Sequence, residues 1–152
     1  MSHDPSHIDT DTLVLIVVGA HPKAEQADRP IAYAFRQRVA AWLAARFDGS
    51  DSPLTPLVVS DVWYLNDNSL RRCPAISIGG PGVNALSAYL GDKLPSAFVV
   101  DDQFMVQMDL DLNDLVCCCW GVSTEATAHA VDAFADRYLD EFMEAAARAR
   151  TV

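Results

Sequence analysis

The run LVLIVVG, Leu13 to Gly19, is the feature that most limits what this chain can fold into. Its apolar residues are consecutive, rich in β-branched side chains and followed directly by glycine. Side chains alternate between the two faces of a strand, so a strand with no polar position is buried on both faces. The run is therefore typical of a central strand in a parallel sheet that helices cover on both sides.

Further strands and helices alternate along the chain. AISIGG and DLVCCCWG are apolar, strand-like runs, and apolar residues at helical spacing follow the first strand and the last. The predicted order is β-α-β-β-α-β(β)-β-α. This order predicts an α/β fold, a single-domain three-layer α/β/α sandwich whose mainly parallel sheet has about five strands and an antiparallel edge. The domain is expected at residues 12–152, after a disordered leader at residues 1–11.

Local start signals set the expected helix boundaries. Asp28 with Pro30 predicts the start of the first helix, and Pro81 predicts the start of the second. Ser123 or Thr124 predicts the cap of one long helix at the end of the chain. The segment that follows the second strand is expected to be a loop.

The charge of the chain excludes two classes of partner. The sequence has 21 acidic and 11 basic residues, which gives a formal net charge of −10. Nucleic acids and anionic membrane surfaces both require a basic face, so neither partner is expected. Residues 1–12 are polar and acidic, unlike a secretory signal, and no apolar run has the roughly 18 residues of a membrane span. These features predict an acidic, cytoplasmic protein.

The cysteines give no indication of a metal site or a disulfide. Cys117, Cys118 and Cys119 are consecutive on a predicted strand, so they point to opposite faces in turn. That arrangement suits neither a set of bridges nor a zinc site, and we interpret the three as small buried hydrophobic residues. Cys73 lies in a polar stretch before Pro74, and it is the one cysteine that we select as a candidate for reactivity.

Three loops are the candidate site. Ligands of open α/β sheets bind beyond the carboxyl ends of the strands, where parallel strands bring their loops to one edge. Such loops follow the first, third and last predicted strands, and Asp61 is expected near the same edge. Glycine-rich corners and helix starts expose backbone amides that favour anions. The predicted ligand-binding residues are Gly80, Gly82, Asn84, Ser123 and Thr124, although a tight strand-to-helix corner explains the same glycines.

His21 is the one candidate for a catalytic group. It directly follows a buried strand, and histidine titrates near neutral pH. Neither a nucleophile nor a carboxylate partner for it can be identified from spacing. Whether the protein is an enzyme, and which cofactor it would use, stay open at this point.

The corners AISIGGPGVNALSAYL and LVCCCWGVSTEATAHAVDAF carry one family resemblance. They resemble the α/β module of archaeal S-layer-related surface proteins, in which an apolar strand runs into Gly-Gly-Pro-x-x-Asn and a later strand runs into a Gly-x-x-x-(Asp/Glu)-x-Thr corner. The resemblance covers roughly half the chain. It implies the fold and a protein without catalytic activity. The matching residues are Gly79, Gly80, Pro81, Asn84, Gly121, Glu125 and Thr127.

A second resemblance is to flavodoxin-like NADPH-dependent FMN reductases. The segments LVLIVVGAHPKAEQADRPIAYAFRQRV, VVSDVWYL and CPAISIGGPGVNALSAYLGDKL follow a similar order. This resemblance implies a flavin-dependent reductase. Those proteins hold the FMN phosphate with hydroxyl residues in the first loop, whereas residues 19–30 contain no serine or threonine here.

Three functions are therefore considered. The first is a polar small-molecule or anion site at the carboxyl edge of the sheet. The second is a non-catalytic module that forms a homo-oligomer, and the third is a flavin-dependent reductase.

Overall fold

The apolar run at Leu13–Val18 forms strand β1 near the middle of a six-stranded sheet in the computed structural model, which describes residues 9–151. The order of the strands across the sheet is β2-β1-β3-β6-β5-β4. Strands β1, β2, β3 and β6 are parallel, whereas β5 and β4 pair in the antiparallel sense and form one edge. The predicted α/β class is confirmed. The other strands are β2 (Thr55–Ser60), β3 (Ala75–Ile78), β4 (Ser96–Val100), β5 (Phe104–Met108) and β6 (Val116–Gly121).

Helices cover both faces of the sheet, so the chain has two hydrophobic cores. Three helices pack on one face and two short helices pack on the other. The first face carries α1 (Pro22–Arg46), α4 (Thr124–Arg137) and α5 (Leu139–Thr151), and the second carries α2 (Asp61–Asn66) and α3 (Ala85–Leu90).

Alternation along β1 explains why every residue of that strand is apolar. Val14, Ile16 and Val18 enter the core beneath α1, α4 and α5, while the residues between them enter the other core. In the larger core the Phe134 ring meets the Phe35 ring at 6.0 Å between centroids, in an edge-on arrangement. Burial of apolar surface in both cores provides the main stabilisation of the fold.

Helix α1 begins at Pro22, so the predicted start at Asp28 and Pro30 is wrong. His21 caps the helix, because its Nδ1 accepts a hydrogen bond from the Lys23 N–H at 3.1 Å. Pro22 occupies the first turn, where its missing N–H costs nothing. Pro30 then lies inside a 25-residue helix, on the exposed side. The earlier start places Asp28 on the inner face of α1.

Two further boundaries differ from the local signals. The expected loop after β2 is helix α2, which Ser60 caps through a bond from the Trp63 N–H. Helix α3 begins after Asn84 and not at Pro81, which belongs to a turn. These short helices form because a side-chain oxygen satisfies the free N–H groups of their first turns.

The last helix is interrupted at Tyr138, so the predicted single helix is two helices. Tyr138 adopts φ −129° and ψ −12°, outside the helical region. Its hydroxyl donates to the Ala97 carbonyl of β4 at 3.1 Å. The change of direction allows Phe142 of α5 to pack against Phe134 of α4 at 5.7 Å between ring centroids.

Two further expectations concern the predicted leader at residues 1–11 and the absence of a membrane span. Residues 1–8 of the predicted leader lie outside the described residues, while Thr10 and Asp11 belong to a 3-10 turn at Thr10–Thr12. Within residues 9–151, no helix combines the length and the apolar character that crossing a membrane requires.

Candidate functional site

The loops that were expected to converge do lie at one edge of the sheet. Strands β1, β2, β3 and β6 are parallel neighbours, so the loops that follow them share the carboxyl edge. A central carboxylate ties these loops together. Asp61 Oδ1 accepts from the Ala20 N–H at 3.0 Å and from the Val62 N–H at 2.8 Å, and Oδ2 accepts from the Ala85 N–H at 2.7 Å. Asp61 therefore links the ends of β1, β2 and β3.

Asn84 holds the glycine-rich corner from inside. Its Oδ1 accepts from the Leu86 and Ser87 N–H groups, and its Nδ2 donates to the carbonyls of Val17 and Ile78. The residue is only 1% exposed. Its amide is engaged at both ends by the protein itself, so Asn84 positions the corner and does not reach the cavity beside it.

A cavity of about 420 Å³ opens between α1 and the loops after β3 and β6. Four of the five predicted ligand-binding residues line it, namely Gly80, Gly82, Ser123 and Thr124. His21 does not line this cavity. It is exposed at the start of α1, where its imidazole is a helix cap, so the geometry gives no support to a catalytic role for His21.

Asp28 is the cavity residue that the sequence analysis missed. Its side chain lines the cavity, yet the residue is only 6% exposed. No donor among residues 9–151 forms a hydrogen bond with its carboxylate. Burial without a partner disfavours the charged form, and it raises the pKa of Asp28 from 3.8 to about 6. A buried, unpartnered carboxylate of this kind marks a candidate functional site.

The close approach of Asp28 to β3 depends on Gly79. This glycine has φ +115°, a conformation that side-chain-bearing residues rarely adopt. A Cβ built at Gly79 would lie 2.5 Å from Asp28 Oδ2. The first glycine of the glycine-rich corner therefore leaves the room that the carboxylate occupies.

The sequence does contain a signal for Asp28. Within α1 the inward residues Ala24, Ala32, Phe35 and Val39 recur at helical spacing, and Asp28 occupies the same stripe. An acidic residue on an apolar stripe is unusual, because ionised carboxylates are costly to bury. The predicted helix start at Asp28 concealed this pattern.

The first turn of α4 forms the opposite wall of the cavity. Ser123 caps the helix by accepting from the Ala126 N–H at 3.0 Å, and Thr127 Oγ1 accepts from the Gly121 N–H at 3.1 Å. A Cβ at Gly121 would lie 2.6 Å from Ala126, so only glycine allows β6 to turn this tightly into α4. The first-turn N–H groups carry a partial positive charge at this wall.

Other lining residues give the cavity a mixed character. Trp120 and Val122 contribute apolar surface, and the exposed Lys23 adds a cation. The cavity thus combines one buried acceptor, an apolar wall and a positive helix end. Such a set can bind a small molecule that carries an N–H or O–H donor, and it can transfer a proton at that donor.

The cysteines are not part of this cavity. Cys73 is buried, and burial raises the pKa of its thiol, with Arg150 acting weakly in the opposite direction. This burial gives no support to Cys73 as a candidate for reactivity, because reactivity requires an accessible thiolate. The consecutive cysteines are free and buried, in agreement with their interpretation as hydrophobic residues, and they are Cys117, Cys118 and Cys119.

No family model matches the chain, and a search of curated proteins also gives no match.

Proposed function

We propose that the cavity between α1 and α4 binds a polar small molecule whose N–H or O–H group donates a hydrogen bond to Asp28. One observation carries the proposal. Asp28 is only 6% exposed and lines the cavity, and none of the described residues donates to its carboxylate. A buried charge without a partner is unfavourable, so a ligand that supplies the missing donor gains binding energy there.

The rest of the cavity narrows the class of ligand. Its volume of about 420 Å³ accommodates a small molecule rather than a polymer. Trp120 favours a planar or apolar part, and the positive first turn of α4 near Thr124 favours an electron-rich group. The donor must lie at the Asp28 end, where a second anion would be repelled. We therefore propose an amine, an alcohol or an N–H heterocycle that carries an acceptor at its other end.

The same carboxyl group provides a basis for acid–base chemistry. A pKa of about 6 means that both the protonated and the ionised form of Asp28 are populated near neutral pH. A group that is poised in this way exchanges a proton with a bound donor efficiently. We propose proton transfer at the donor atom as the chemistry of this site if the protein turns its ligand over.

A thermal-shift screen at pH 7.5 tests the proposal. The panel contains amines, amino acids, nucleosides, sugar alcohols and FMN, so it also tests the flavin-dependent alternative. We expect hits to stabilise the wild type by about 2.7 kcal/mol at a hundredfold excess over the dissociation constant. Asp28→Asn should abolish the response, whereas Asp92→Asn, which removes an exposed carboxylate elsewhere, should retain it. Equal stabilisation of Asp28→Asn by every hit would contradict the proposal.

A second candidate function is self-association through the edge strand β4. One observation favours it. Val99 of β4 is 43% exposed and Val100 is 36% exposed, on the strand that forms the unpaired edge of the sheet. Exposed apolar strand edges pair readily with a second copy of the same chain. Light scattering of the wild type should then give a dimer, and Val99→Lys should give a monomer. The control Val62→Lys, at an exposed valine of α2, should leave the dimer intact.

A further inference from the structure

A second cavity, of about 330 Å³, lies at the opposite, amino edge of the sheet. It is bounded by the start of β3, the start of β6 and the end of α5. Three arginines line it. Arg71 and Arg72 come from the 3-10 turn at Leu70–Arg72, and Arg150 comes from the last turn of α5.

The charge of this cavity is opposite to the charge of the chain. The protein has a formal net charge of −10, yet among residues 9–151 three guanidinium groups and one carboxylate, that of Asp114, line this cavity. Three other arginines form ion pairs, Arg29 with Glu25, Arg38 with two aspartates of α4 and Arg46 with Asp140. No carboxylate of residues 9–151 lies within 4.0 Å of the guanidinium nitrogens of Arg71, Arg72 or Arg150.

One nitrogen at this place lacks an acceptor. The Nε of Arg150 is buried, and no hydrogen-bond acceptor for it occurs among the described residues. A buried donor of a charged group is costly to leave unsatisfied, and guanidinium N–H groups are nearly always paired. The neighbouring Cys73 Sγ is not an effective substitute, because sulfur is a weak acceptor. Within the described part of the chain, Arg150 Nε therefore lacks an anionic acceptor.

We infer that this amino-edge cavity binds a phosphate group, either as free phosphate or on a small phosphate monoester. Guanidinium groups bind phosphate through paired, charge-assisted hydrogen bonds, and several arginines around one point favour a dianion. The volume admits a small molecule and excludes a polymer. This site is separate from the Asp28 cavity, since the two lie at opposite ends of the parallel strands.

Calorimetric titration at constant ionic strength tests the inference with inorganic phosphate and, separately, glycerol 3-phosphate. We expect wild-type protein to bind at least one of them. Arg150→Gln and Arg71→Gln should weaken binding by about tenfold or more, because each removes a charge-assisted hydrogen bond. The matched control Arg38→Gln removes an equal charge from the surface and should bind as the wild type does. Tighter binding of the monoester identifies a phosphorylated metabolite as the ligand, and equal binding identifies the phosphate group alone.

A direct measurement on the wild type keeps the test independent of how the variants fold. In an amide correlation spectrum, the Nε–H resonance of Arg150, assigned from its absence in Arg150→Lys, should shift on addition of phosphate. Asp28→Asn should leave this response unchanged. The inference is overturned if Arg150→Gln binds as tightly as the wild type. It is also overturned if neither probe binds, or the resonance does not move, up to about 10 mM, where binding is too weak to be specific.

Discussion

Asp28 should make the protein less stable at neutral pH than it would be without this charge. Its pKa is raised from 3.8 to about 6 by burial, so the folded state holds the proton more tightly than the unfolded state does. The resulting loss of unfolding free energy is absent below about pH 4, increases as the pH rises, and is complete above about pH 6. A shift of about two pKa units corresponds to about 3 kcal/mol of unfolding free energy.

Replacement of Asp28 by asparagine therefore should stabilise the protein, although the substitution removes the carboxylate on which the proposed ligand site depends. Asparagine has the same shape and no charge, but its buried amide retains a desolvation cost of about 1 kcal/mol or more. We expect a net gain of about 1 to 2 kcal/mol at pH 7.5, which is a rise in melting temperature of roughly 2–8 °C. At pH 4 the gain should disappear, because the wild-type carboxyl group is then protonated and neutral.

Urea denaturation at both pH values measures this effect through the transition midpoint, at an unchanged dependence on denaturant. Asp61→Asn is the matched control at the same sheet edge. That carboxylate accepts hydrogen bonds from three backbone N–H groups, so the substitution should lower the free energy of unfolding by about 2–4 kcal/mol. The reasoning is refuted if Asp28→Asn destabilises the protein at pH 7.5, or if its gain is the same at both pH values. A gain confined to high pH would indicate a residue that is retained for function at the expense of stability.

Gly79→Ala should lower the free energy of unfolding by about 2 kcal/mol or more, because the new Cβ contacts Asp28 Oδ2 and the residue must keep a φ of +115°. An unchanged free energy of unfolding in urea would contradict this expectation. Asn84→Ala should lower the free energy of unfolding by about 2–4 kcal/mol, since it removes the cap of α3 and two bonds to buried carbonyls. Its melting temperature should be well below that of Asn66→Ala, a control on the exposed end of α2. Cys73 should react with an aromatic disulfide reagent much more slowly in native protein than in urea, and rapid native reaction would mean that the thiol is accessible.

The amino-acid sequence was sufficient to predict those elements whose signals are local. Burial on both faces made β1 apolar throughout, and this predicted a parallel sheet with helices on both sides. The capping role of Ser123 was also predictable, because its side chain bonds to a backbone N–H group three positions away. Parallel strands then placed Gly80 and Ser123 on one cavity.

The predicted helix boundaries were wrong where a contact with a residue distant in the sequence outweighed a local signal. Pro30 predicts a helix start, but α1 continues through it because the proline lies on the exposed side of the helix. The earlier turn forms because Ala24 packs into the core. The long helix at the end of the chain breaks at Tyr138, whose hydroxyl bonds to β4. Local propensity cannot register either contact, since the partner is far away in the sequence.

The sequence alone therefore determined the class of fold, the two covered faces and the edge of the sheet at which the loops meet. Only the tertiary structure decided which side chains face the cavity. It turned Asn84 inward, left His21 as an exposed cap, and brought Asp28 of α1, without a partner, against Gly79, which directly follows β3. The physical reason is that periodicity encodes which face of an element is buried, whereas the pairing of a buried polar group depends on residues from other elements.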